Sequence, residues 1–558
     1  LINLCNRIFR FLVALALCAC GACGASGGRD EEPFPDEDRL LESLMEEYVA
    51  ARFAFYPVES TLAGLPGRDA ALGSFSRTDV SGRVRWLSDF HTKLTGLKLN
   101  ALSRPAYLDA LWLTSLTKAE LFDLERRRPW ELSPAFYGEQ IRGGIVSLLL
   151  APDLSSRTEE LGGRLDAIST LGEQAGENLG ALPEGYRAEG IRSLLRCESL
   201  LSDMPLLLEQ SLPAYRVAEL SEKSRLAVRA LQALGSRLAQ APEAPASGTV
   251  SLGAEALTSY LLHHEMLDRP PDEILVEVRE AIASASSRMT EVALERLPER
   301  DLRAILAENV PSESPGDDVA RFEARAREFL GAGPRGDLPD RAIPVRMVPG
   351  YFLAPHSLRL WRPASLDRVK EVSLLVSAGA STNARDLELT TLAEVAGGYR
   401  LFVRQSESAS LLRRVFRSRT TGEGFRSWLL RRAFDRGYAE DDPELRLRMD
   451  HRELIEDLRL EAAISIHALG TSVAEAERRF REIGFLPREA AALEAEMAAF
   501  DPGAGSAALG RLLLDELARD YLRSHPLLSP SELEDAFLSD GQLPLRLLRL
   551  KLLGFGNP

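Results

Sequence analysis

The amino-acid sequence predicts an all-α fold, a large multi-helix body with a short β ribbon just before its central helix. Three observations carry this. From Pro270 onward Ile274, Val278, Ile282, Ala285, Met289 and Val292 follow in steps of four, four, three, four and three, one apolar stripe along a helix. Leu454, Ile455, Leu458, Ala462, Ile466 and Leu469 repeat the pattern. Near the end, "SPSE" (Ser529 to Glu532) offers an N-cap serine, a first-turn proline and a capping-box glutamate. At 558 residues, 45% hydrophobic and 27% charged, the chain is an ordinary globular one, long enough for three or four domain-sized units or one large helical assembly. A formal net charge of -15 repels phosphate backbones and argues against nucleic acid as a partner.

The elements follow in order. The first residues, "LINLCNRIFRFLVALALCACGACGASGG", carry Arg7 and Arg10, an apolar run from Phe11 to Leu17, then small residues and cysteines. The run is too short for a permanent membrane span and reads as a secretory signal over 1–19. "LCAC" (Leu17 to Cys20) resembles a bacterial lipobox. Cleavage before Cys20 exposes that cysteine for lipidation and tethers the protein to a membrane surface. The expected location is therefore the bacterial cell envelope, on the periplasmic side. Gly21, where retention in the inner membrane would favour aspartate, tilts the expectation toward the outer membrane. Residues 20–37 read as a flexible tether rich in Gly, Ser, Pro and acids. Cys197 is then the one cysteine of the folded body, so no disulfide framework or cysteine-built zinc site is expected there.

Residues 38–558 form the helical body. "APEAPASGTV" (Ala241 to Val250) marks a subdivision, and further breaks fall at Val310 to Asp318 and Gly331 to Ala342. "AIPVRMV" and "EVSLLVSA" are the β-prone runs that supply the ribbon. There is no fixed-period repeat, no glycine-rich phosphate loop and no G-x-S-x-G elbow.

Several patterns, in order, resemble domain-of-unknown-function family 885, helical bacterial proteins that are often lipid-anchored and similar to zinc metallopeptidases. They are "FYPVESTLAGLPGRDAALGSFS" (Phe55 to Ser76), "RRPWELSPAFYGEQI" with Trp130, Pro134 and Tyr137, and "LEDAFLSDGQLPLRLL" near the C-terminus. The likeness spans about Asp38 to Gly554. In the family the central helix reads like "H-E-A-I-P-G-H-H", with "E-G-W" about thirty residues on. Here the run is "AEVAGGYR" (Ala393 to Arg400), and Glu423 of "GEGF" stands 29 positions beyond Glu394. Glu394, Gly398, Glu423 and Gly424 match; Ala393, Tyr399 and Arg400 stand where the family has histidines. The family's "R-L-V-V-D-T-G-I-H" is represented by "RLEAAISIH", which keeps Arg459 and His467 but has Ala463 for the aspartate. In the family's "F-H-D" the chain has Leu533, Glu534 and Asp535.

The resemblance implies zinc as the family cofactor, yet the donor atoms are missing. Ala393 has none, protonated Tyr399 is a poor ligand, and Arg400 is permanently cationic. No cofactor is therefore expected. Glu394, Glu423 and His467 read as vestiges of a catalytic set, and Tyr399, Arg400 and Arg459 as lining a ligand pocket. Arg400 is expected to substitute in part for the lost cation by bridging one or both of Glu394 and Glu423. The reading is a catalytically degenerate, non-enzymatic envelope lipoprotein, a ligand binder for something peptide-like or a structural protein. The alternative is an active peptidase-like hydrolase with a relocated metal or none. Taken alone, Gly397 and Gly398 would instead end a helix, Glu394 would be a solvated face residue, and Arg459 and His467 surface or core-satisfied groups. The pair in "HHEM" (His263 and His264) points about 100° apart on a helix and reads as solvated or capping.

Overall fold

The computed structural model describes residues 36–554 apart from 66, 152, 243–250, 332–337, 339–340, 354–357, 362–371 and 379–382. The signal segment and the lipidation candidate Cys20 lie outside the described residues, as does most of the tether. The first helix begins at Asp36, two residues before the body was expected to start.

The helices of seven residues or more are α1 (Asp36–Phe55), α2 (Arg77–Thr95), α3 (Arg104–Phe122), α4 (Pro134–Leu149), α5 (Thr158–Asn178), α6 (Glu184–Ser202), α7 (Ala214–Gln240), α8 (Ala254–His264), α9 (Pro271–Arg296) and α10 (Pro315–Leu330). After three strands come α11 (Ala384–Ala393), α12 (Arg400–Ser406), α13 (Arg419–Asp435), α14 (Pro443–Leu469), α15 (Val473–Glu482), α16 (Arg488–Phe500), α17 (Ser506–Ser524), α18 (Pro530–Leu538) and α19 (Leu545–Leu553). The chain is mostly helical, as its periodicity predicts. Ile274, Val278, Ile282, Ala285 and Met289 are buried on α9. The α14 stripe is buried through Ile466, while Leu469, the last residue of the helix, is exposed. Ser529 closes the predicted capping box with Glu532 ahead of α18.

The β ribbon is a three-stranded sheet. β1 (Val345–Pro349) runs parallel to β3 (Ser373–Ala378), and β2 (Leu358–Trp361) pairs antiparallel on β3's other edge. The β-prone runs thus become neighbours without forming a hairpin. "LRLW", the third strand, is too short for its alternation to stand out in the sequence.

One apolar core joins α1 to α7. A second joins α8 and α9 to α14, α15 and α16. Smaller cores lie under the sheet and between α13, α17 and α18. The Trp130/Pro134/Tyr137 pattern works as a clasp. Trp130 donates its indole N–H to the Leu124 carbonyl at 3.1 Å, and the Tyr137 hydroxyl donates to the Trp130 carbonyl at 2.5 Å. α13 and α17 cross backbone to backbone, since a Cβ on Gly424 would lie 2.5 Å from the Cα of Gly510.

A charged seam runs beside the second core. Asp450, Glu453, Asp457 and Glu461 recur at helical spacing on α14 and are all buried. Arg288 donates to Asp450 at 2.9 Å and to Glu453 at 2.7 Å, Arg431 to Glu453 at 2.7 Å, and Arg279 to Glu461 at 2.9 Å. Arg511, itself buried, bonds Asp457. Charge in so poor a solvent is tolerable only when paired, and each carboxylate is.

Candidate functional site

α11 and α12 form one continuous helix, widened between them into a π turn at Glu394–Tyr399. Gly397 and Gly398 lie inside this helix and do not end it. Their lack of side chains lets the π turn settle on α13. A Cβ at 397 would come within 2.9 Å of the Cα of Arg426, and one at 398 within 2.1 Å of Glu394 Oε2. Such wide turns recur at functional sites.

The packing sets Glu394 against Arg426, whose Nε donates to Glu394 Oε2 at 3.0 Å. Glu394 is buried, not a solvated face residue. The histidine-equivalent positions go elsewhere. Ala393 is buried, and half-buried Tyr399 packs against the core beneath the sheet. Buried Arg400 reaches α18, with Nη1 3.3 Å from Glu534 Oε2 and Nη2 3.4 Å from Asp535 Oδ1. The expected bridge from Arg400 to Glu394 and Glu423 is not found among the described residues. A guanidinium does meet each carboxylate, but Arg426 serves Glu394 and Arg419 serves Glu423 at 2.9 Å. Arg400 instead pairs with Glu534, the residue at the family's C-terminal histidine position. Two positions where the resembled pattern has histidine thus carry an arginine and a glutamate in an ion pair. Arg432 and Arg436 also lie 3.2 Å from Glu534.

Arg459 forms a two-pronged pair with Glu494, its Nη2 donating at 2.7 Å. Its guanidinium is also within electrostatic reach of Glu423. His467 sits in the core at the end of α14, where Nε2 lies 3.1 Å from the Ala498 carbonyl oxygen. The structure therefore brings Glu394, Glu423 and Arg459 toward one cleft and leaves His467 in the packing. His264 lies 3.1 Å from Asp123 Oδ2 and stacks on Tyr260 at 4.2 Å, an interior contact rather than a solvated one.

Arg419, Arg426 and Asp501 complete the cleft, and none was singled out from the sequence. Arg419 and Arg426 stand four residues before and three after Glu423, a helical spacing that could have pointed to them. Asp501 follows α16 and bonds Arg419. Burial pushes its carboxyl up, but Arg419, then Arg127, outweigh that and hold it below its ordinary range.

Zinc does not fit these residues. Three histidine-equivalent positions lack a usable donor, Glu394 faces a guanidinium, and among the described residues no three His, Cys, Asp or Glu side chains converge to hold a metal. A different feature is the surplus of cation. Arg359 on β2 and Arg417, just before α13, are reached by water. Yet burial pulls the Arg417 guanidinium down to about 10, with Arg359 and Arg426 acting the same way, and burial lowers Arg359 too. Arg359, Arg417 and Arg426 are thus near enough to repel one another, while the first two stay open to water.

The profile of the bacterial protein family of unknown function DUF885 matches residues 57–552. No curated protein matches the sequence. A candidate lipoprotein of unknown function from Shewanella oneidensis superposes with a TM-score of 0.71 at 15% identity, over 92% of this chain and 99% of that one. A candidate lipoprotein from Colwellia psychrerythraea gives 0.77 at 14% identity, over 93% and 99%. At such identities the likeness is one of fold. No described helix is long and apolar enough to cross a membrane.

Proposed function

The chain belongs to the DUF885 family of bacterial proteins of unknown function, and from that membership we propose that it is a catalytically degenerate, metallopeptidase-like envelope lipoprotein whose cleft binds a peptide-like ligand without metal chemistry. The observation that carries the proposal is the replacement of donors by ion pairs. Arg400 faces Glu534 across two histidine-equivalent positions, and Glu394, the residue in the general-base position, faces Arg426. A glutamate acts as base on a metal-bound water because the metal lowers the water's pKa. Here Glu394 is instead the hydrogen-bonded partner of the Arg426 guanidinium. The membrane-anchored part of the proposal rests on the lipobox-like "LCAC" and on two similar folds that are themselves candidate lipoproteins. We place the protein on the periplasmic side, with the outer membrane favoured by Gly21.

Elemental analysis of chain purified without chelator, paired with a broad peptidase panel, tests this. Sub-stoichiometric zinc and no turnover are expected. Stoichiometric metal, or peptide hydrolysis lost in Glu394→Gln, would establish the hydrolase alternative with a relocated metal or none. Metabolic labelling with palmitate, lost in Cys20→Ala, tests the anchor. A purely structural role predicts no thermal shift across a peptide library.

A further inference from the structure

We propose that Arg359 and Arg417, flanked by Arg426, form an oxyanion site in the cleft that takes a carboxylate or phosphoryl group of the ligand. The proposal deepens the ligand-binding reading above and rests on it for its location. The carboxylates of the cleft already have guanidiniums: Arg426 on Glu394, Arg419 on Glu423 and Asp501, Arg459 on Glu494. Among the described residues Arg359 and Arg417 enter no hydrogen bond or ion pair. They are thus the cations left over after the cleft's own charges are matched.

Their placement is built by the fold. β2 packs against the π turn that carries Glu394, and Arg359 projects from β2 at the position paired with Leu375 of β3. Glu394, Arg426 and Glu423 all lie within electrostatic reach of its guanidinium. Arg417 immediately precedes Ser418, the N-cap of α13, so the positive end of a 17-residue helix reinforces the same spot. Arg426, one to two turns along α13, is pinned by Glu394 and by the Gly422 carbonyl at 3.0 Å and cannot swing away. Burial lowers Arg417 from its ordinary value, and repulsion from the like charges of Arg359 and Arg426 adds to it. An incoming oxyanion removes that repulsion and offers the planar, two-pronged geometry that guanidinium groups match.

The test uses the purified full chain at constant ionic strength and reads binding calorimetrically. Its probes are inorganic phosphate, acetyl-trialanine with a free C-terminal carboxylate, and the same peptide as its amide. Wild-type chain is expected to bind phosphate or the free-acid peptide, with the amide at least tenfold weaker. Arg359→Gln and Arg417→Gln should each weaken the bound probe tenfold or more while leaving the melting temperature of the free chain unchanged. Arg519→Gln, an exposed change outside this cleft, should leave binding unaltered. Binding of phosphate alone assigns a phosphoryl group, and of the free acid alone a carboxylate. No binding of either anion, equal binding of acid and amide, or indifference to both arginine substitutions overturns the site. Metal content and peptidase activity are read separately, so a metal-bearing hydrolase with intact anion binding would overturn only the function proposed above. A metal-free chain that ignores anions would overturn only this site.

Discussion

The charged seam on α14 and the cleft beside the π turn use the same two residue types, arginine and carboxylate, to opposite ends. In the seam, Asp450, Glu453, Asp457 and Glu461 are sealed from water and each has its guanidinium. In the cleft, Glu394, Glu423 and Asp501 are paired too, but water reaches the site, and Arg359 and Arg417 remain uncommitted among the described residues. A closed, balanced set holds helices together, whereas an open set with cations to spare can receive something. Desolvation decides between the two, because an unmatched charge is affordable only where solvent or a ligand can answer it.

The comparison breaks first at Arg511. Arg511→Ala leaves Asp457, with none of its surface exposed, facing a lost cation, and a destabilisation of about 3–5 kcal/mol is expected. Urea unfolding measures it; a loss under about 1 kcal/mol would mean the seam is not structural.

The two regions should also answer pH in opposite directions. Burial, against the pull of Arg511, raises Asp457 from 3.8 to about 6. The folded state then holds the proton more tightly than the unfolded chain, so this contribution is present below the unfolded value and is lost as pH rises through about 6, a change of about 2–3 kcal/mol. Asp501 is depressed, so its contribution is present above the unfolded carboxylate value and is lost as pH falls through the lower folded one. Asp457→Asn should flatten the stability profile between roughly pH 4 and 6, and Asp501→Asn only the more acid limb. Thermal melts across pH that show one shared slope change would erase the distinction.

Arg400→Ala should cost about 2 kcal/mol, less than the Arg511 change, because Glu534 keeps Arg432 and Arg436. An unchanged melting temperature would remove the idea that an ion pair replaced two histidine-type groups. The smallest effect is expected at Arg419→Ala, about 1 kcal/mol or less, since its pairs with Glu423 and Asp501 are open to water. A larger loss there would move the cleft into the structural class.

Helices and their ends were legible in the chain, because apolar spacing and capping act over a few residues. The α9 stripe from Ile274 to Met289 and the Ser529 capping box needed nothing distant. That Ala393 and Arg400 cannot themselves hold a metal was equally legible, since alanine and arginine lack a usable lone pair in any fold. That Glu394 and Glu423 would each meet a guanidinium followed from charge; which guanidinium did not. Arg426 reaches Glu394 only because Gly397 and Gly398 let the π turn lie on α13, and Arg400 finds Glu534 from 134 residues away. Local geometry is written in short-range spacing, but the choice among many arginines for each carboxylate is made by packing, which sets the separations that electrostatic energy depends on.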